Sequence, residues 1–153
     1  MQEDYLEGLL KVLKTLPPDS PTRKEYSQKV LEMLRTFLPD LLKKIVKELF
    51  ITNGYRLIGE NLGFTFEKFS EHELMHDFYT PETIPKIFVC VKSFGTSYEE
   101  IYKQFEERGH CDACLLIDLV EKFDENTVKT AEALNVILVD GLTFANILAH
   151  HKL

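Results

Sequence analysis

Residues 113–149 read ACLLIDLVEKFDENTVKTAEALNVILVDGLTFANILA, and they hold two strand-like runs alternating with two helical ones. Ala113-Cys114-Leu115-Leu116-Ile117 is continuous in apolar residues and short, the pattern of a strand buried on both faces. Asp124 follows a polar break and stands where a helix N-cap belongs, ahead of a helical run to Leu134. Val136 to Val139 returns to strand composition, and Leu142 to Ala149 predicts a closing helix. Strands joined through helices in this way imply parallel strands with crossover connections.

Toward the N-terminus, Lys86 to Phe94, KIFVCVKSF, is the clearest strand of the chain and carries the apolar continuity of a central position. Ser97 and Glu100 form a capping-box pattern that opens a helix to about Arg108. Tyr55 to Ile58 and Phe64 to Phe69, separated by a Gly-bounded turn, predict the first two strands of the sheet. Between them and Lys86, Asp77-Phe78-Tyr79 reads as a short strand and Thr80 to Pro85 as a turn.

The first third is helical. Leu6, Leu9, Leu10, Leu13 and Leu16 recur at spacings of three and four over residues 4–16. Ser20-Pro21 predicts the start of a second helix, whose apolar face is expected at Tyr26, Val30, Met33, Leu34 and Phe37. Pro39 forces a break, and a third helix from about Asp40 to Thr52 ends at Asn53-Gly54. The expected organisation is an N-terminal helical extension, residues 1–38, followed by an α/β domain over residues 39–153. The N-terminal helices could pack on each other, pack on the sheet or serve self-association.

Composition narrows the function classes. At 153 residues, 44% hydrophobic and 28% charged, the chain can bury one ordinary core. No apolar run approaches the ~20 residues that span a bilayer, and the opening MQEDYLEGLLKVLK begins with acids where a secretory leader carries bases. Membrane insertion and secretion are therefore not expected. Cys90, Cys111 and Cys114 make an odd count, which suits reduced thiols in a cytoplasmic protein. Residues 1–54 hold 9 Lys/Arg and 8 Asp/Glu and the remainder 9 and 17, so the two parts contribute +1 and −8 to the net −7. Such acidity counts against an autonomous DNA-binding surface in the second part, because phosphate contact needs basic residues.

The run ENTVKTAEALNVILVDGLTFANIL, residues 125–148, resembles the closing helix, strand, Asp-Gly turn and helix of the Mrr-like restriction endonucleases. The preceding elements resemble the core of the wider PD-(D/E)XK nuclease superfamily, which includes archaeal Holliday-junction resolvases. They are a helix ending in Asn53-Gly54-Tyr55, a hairpin region, a strand Phe88-Val89-Cys90-Val91-Lys92, a helix and another strand. The resemblance spans roughly residues 40–150 and implies a restriction-endonuclease-like mixed sheet flanked by helices.

It also implies a site. Members of that superfamily hold a divalent metal, Mg²⁺, with two acids, and place a lysine two positions after the second acid. The period of a strand turns those two side chains to one face. Here Lys92 stands at the lysine position and Cys90 occupies that of the missing acid. Asp77, thirteen residues before Cys90, matches the first acid, with Glu71, Glu73 and Glu82 nearby, and Glu60 is a further candidate metal ligand. Cys90 reads equally as a small core residue, a thiolate being poorly matched to Mg²⁺. The expectation is a catalytically degenerate binding or assembly module, with DNA or a DNA-processing protein as partner and a possible homodimer through the N-terminal helices. The alternative is an active endonuclease using Mg²⁺, Asp77, a relocated carboxylate and Lys92. An unrelated flavodoxin-like or Rossmann-like domain is a third reading, weakened because no Gly-rich phosphate loop follows any strand.

Cys111 and Cys114 form a C-x-x-C pair that could bind zinc or exchange disulfides, yet no second pair completes four ligands. Packing is the simpler expectation. His72 and His76 are expected on an exposed loop, and His150-His151 at a polar terminus.

Overall fold

The computed structural model describes residues 2–60, 63–68, 86–92, 98–107, 111 and 113–151. Three helices come first: α1 (Gln2–Thr15), α2 (Pro21–Arg35) and α3 (Pro39–Thr52). Three strands follow, β1 (Tyr55–Glu60), β2 (Phe64–Lys68) and β3 (Lys86–Lys92). The chain then runs through α4 (Tyr98–Glu107), β4 (Ala113–Asp118), α5 (Glu125–Leu134), β5 (Val136–Val139) and α6 (Gly141–His151). The expected strand over residues 77–79, the turn over 80–85 and the Ser97 cap lie outside the described residues, as do His72 and His76.

The five strands lie in sequence order, β1-β2-β3-β4-β5. β1, β2 and β3 pair antiparallel, whereas β3, β4 and β5 pair parallel, so the sheet is mixed. This division follows from the connections, since the parallel strands are the ones separated by helices long enough to cross over. β4 is buried at every position, in keeping with its unbroken apolar run.

Alternation sorts the strand side chains onto two faces. Ile87, Val89, Leu115, Ile117 and Val139 pack with Leu6, Leu10 and Leu13 of α1, Val30, Leu31 and Leu34 of α2, Ile45 and Leu49 of α3, and Phe144 and Leu148 of α6. Phe88, Cys90, Cys114, Leu116 and Val136 point the other way, under Ile101 of α4 and Ala131 of α5. The result is an α/β protein with helices on both faces of the sheet and N-terminal helices built into the larger layer. Leu38, where the expected extension ends, is exposed, but apolar side chains before and after it enter one cluster.

Local signals account for the helix ends. Ser20 caps α2 by accepting from the Thr22 amide at 3.2 Å, and Asp124 caps α5 by accepting from the Thr127 amide at 2.8 Å. These amide bonds hold the Asp124 carboxyl below its ordinary pKa. Asp140 caps α6 at the Thr143 amide, 2.8 Å away.

The buried line of α2 differs from the expected stripe. It runs Arg23, Ser27, Val30, Leu31 and Leu34, with Tyr26 and Met33 at its margin. Arg23 enters because its polar atoms are satisfied there: Nη1 donates to the Leu13 and Leu16 carbonyls at 3.2 and 2.6 Å, and Nε donates to Asn146 Oδ1 at 3.0 Å. Nη2 lies 3.0 Å from His150 Nε2. The last helix starts at Gly141, one residue before its expected start, and a methyl group there would meet Leu31 Cδ1 and force that side chain to shift.

Candidate functional site

β3 carries the two residues on which the expected chemistry turns. Phe88, Cys90 and Lys92 share one face by the two-residue period, and that face lies beneath α4 and α5. Cys90 is 4% exposed and packs in an apolar cluster with Phe88, Cys114, Leu116, Ile101 and Ala131. Lys92, at the end of the strand, is half-buried.

The parallel ladder brings an acid beside that lysine. Cys90 stands opposite Leu116 and Lys92 opposite Asp118, on strands about 4.8 Å apart. Asp118 shares a face with Cys114 and Leu116, hence the Lys92 face, and is fully buried. In the sequence Asp118 is inconspicuous, because it closes an apolar run. The available signal is its spacing, which repeats the alternation of Cys114 and Leu116.

The carboxyl end of β4 is tied down by its neighbours. The Leu119 amide donates to the Lys92 carbonyl at 3.1 Å, Arg35 Nε of α2 donates to the Leu119 carbonyl at 2.7 Å, and the Gly141 amide donates to the Val120 carbonyl at 2.7 Å. Asp140, one residue past the β4–β5 ladder, directs its Oδ1 to the cap of α6. The end of β4 is thus braced against β3, α2 and α6.

Glu60 lies elsewhere. A register shift between Leu57 and Gly59 places Glu60 opposite Phe64, which itself stands opposite Val89. Paired residues share a face, so Glu60 belongs to the α3 side of the sheet and Lys92 to the other. Its carboxylate lies 3.4 Å from Lys47 Nζ of α3, and two strand spacings, about 10 Å, separate β1 from β3. Asp77 lies outside the described residues, as do Glu71, Glu73 and Glu82. Cys90, Lys92 and Asp118 are therefore the residues that come together, and Glu60 does not join them.

This set fits poorly to a hard divalent cation. Mg²⁺ takes oxygen ligands, and Cys90 offers a sulfur within an apolar cluster. No group of three or more His, Cys, Asp or Glu side chains able to hold a metal occurs among the described residues. In the C-x-x-C pair, Cys114 is buried and Cys111 half-buried against the same apolar cluster, so the two do not present a solvent-facing dithiol. His150 and His151 are built into the fold, His150 beside Arg23 and the His151 carbonyl accepting from Asn53 Nδ2 at 3.0 Å. No helix among the described residues is long and apolar enough to cross a membrane.

Comparisons with family models, with curated proteins and with solved structures returned no match for the chain.

Proposed function

We propose that this chain is a catalytically degenerate protein of the restriction-endonuclease-like, PD-(D/E)XK type, serving as a binding or assembly module in DNA processing. The observation that carries the reading is the burial of Cys90. It occupies the position of the second metal-binding acid, and it packs as a core side chain against Phe88, Leu116 and Ile101. The order of elements from α3 through β4, with an antiparallel β1-β2-β3 and a parallel β4, agrees with that superfamily's core. The acidity of residues 55–153 favours a protein of the DNA-handling machinery over DNA itself as the partner of this part.

The test is cleavage of labelled duplex, single-stranded and branched DNA by pure protein with Mg²⁺ or Mn²⁺. The degenerate reading expects no products above those of Lys92→Ala. Products from the wild type that vanish in Lys92→Ala would overturn it.

One observation favours a second reading, an active endonuclease with a relocated carboxylate. Asp118 stands in register with Lys92 on the same face. Under this reading Asp118→Asn and Asp77→Asn each abolish cleavage while leaving the circular-dichroism spectrum unchanged.

A further inference from the structure

We propose that the outer face of α1 is a self-association seam that pairs two copies of this chain antiparallel about Gly8. The inner face of α1, Leu6, Leu10 and Leu13, is buried in the core. The opposite side presents Tyr5, Gly8 and Val12, spaced by three and four, with Tyr5 63% and Val12 39% exposed. That spacing is the period at which one helix meets another.

Gly8 is unexplained by the fold of a single copy. It sits in the middle of a 14-residue helix, and a Cβ placed on it meets nothing within 4 Å. A glycine inside a helix weakens it relative to alanine, so one with open space around it needs another reason. Close approach of a second helix supplies that reason, because the missing side chain lets two backbones pack nearer than the usual interaxial distance.

Charge selects the occupant. The first half of α1 carries Glu3, Asp4 and Glu7, and the second half carries Lys11 and Lys14. Asp4 and Lys11 are seven residues apart, so they flank the Tyr5–Gly8–Val12 seam on the same side, and both are exposed. A parallel pairing would put Asp4 and Lys11 of the two copies at opposite edges of the seam, where they do not meet. An antiparallel one about Gly8 brings Asp4 of each copy to Lys11 of the other, twice by symmetry, as a two-fold interface requires. The helix is self-complementary, and a second copy is therefore the partner that the face fits. From Asp4 to Val12 the seam is about 12 Å long, at the small end of protein interfaces, and a weak dimer is expected. This inference gives the assembly reading its partner and does not depend on a role in DNA processing.

Sedimentation of the full chain from about 1 to about 200 µM, the range in which weak interfaces populate, tests it without DNA. The wild type is expected to pass from monomer to dimer. Asp4→Lys and Lys11→Asp, measured separately, each set like charges together twice and weaken the dimer at least about tenfold. Mixing the two variants recovers a heterodimer, because one copy then carries bases at both positions and the other acids at both, so each facing pair is again of opposite charge. Recovery also shows that each variant is folded. Gly8→Gln is expected to raise thermal stability and weaken the dimer. A wild type that stays monomeric, single variants that associate like the wild type, or a mixture that fails to recover would each overturn the proposal.

Discussion

Tyr55 offers a measurement of how the larger core treats a polar atom. Its side chain is 1% exposed and packs edge-on against Phe50, with ring centroids 5.3 Å apart, while Phe66 stacks on Phe50 in turn. Its hydroxyl has no hydrogen-bond partner among the described residues. A buried hydroxyl without a partner carries a desolvation cost of about 1–3 kcal/mol, and Tyr55→Phe removes it while keeping the ring contacts. The variant is therefore expected to gain about 1–2 kcal/mol, or roughly 2–8 °C in Tm for a chain of this size.

A second arm uses pH. Burial pushes the Tyr55 phenol up to about 12 from its ordinary 10.0, because the phenolate is disfavoured in the core. A pKa raised on folding gives stability that is fully present below pH 10 and is lost as pH rises to about 12. Two pH units at about 1.4 kcal/mol each make this loss roughly 2–3 kcal/mol. Denaturant titrations at pH 8, 10 and 11.5 should show the gap between Tyr55→Phe and wild type widening with pH. A variant less stable than wild type at pH 8, with a gap that does not widen, would refute the account and show that the hydroxyl is satisfied in the fold.

Three further outcomes are expected. Gly141→Ala should destabilise by about 1–3 kcal/mol through the collision with Leu31, and Leu31→Ala in the same chain should recover part of that loss, a coupling that a double-mutant cycle in urea would reveal. Arg23→Met should cost about 2–4 kcal/mol, because the Leu13 and Leu16 carbonyls and Asn146 lose a shared donor; a loss below about 0.5 kcal/mol, the scale of ordinary surface changes, would show that Arg23 does not fasten the end of α1 to α6. Asp124 has a lowered pKa through its amide bonds to the first turn of α5, so its contribution is present above the ordinary carboxyl range and fades as pH falls through the depressed value. Asp124→Ala should flatten the acid limb of the stability profile, and an unchanged limb would count against the cap.

The candidate site illustrates how burial changes the reading of a motif. At sequence level Cys90 draws notice only through a resemblance to a nuclease pattern that expects an acid there, open to compensation by any nearby acid. In the fold it belongs to an apolar cluster under α4 and α5, while the braced end of β4 sets a fully buried Asp118 beside Lys92. Both features weigh toward a core role for this face of β3 and against an open phosphate site.

Much of the architecture is legible in the chain because its signals are local. Leucines at spacings of three and four mark α1, Ser20-Pro21 and Asp124 mark helix starts, Asn53-Gly54 marks a helix end, and the apolar runs at β3 and β4 declare strands buried on both faces. Capping hydrogen bonds and the period of side chains along a helix or strand are set within a few residues, so no distant partner is needed to read them. Arg23 defeats the same approach, since a charged residue enters a core only where carbonyls and an amide from other helices meet it. Glu60 and Asp118 exchange their expected importance for a similar reason. A one-residue irregularity in β1 turns Glu60 toward α3, and the parallel register of β4 sets Asp118 against Lys92. Face and register depend on which strands pair and how they are aligned, a relation between distant segments that residue order alone does not contain.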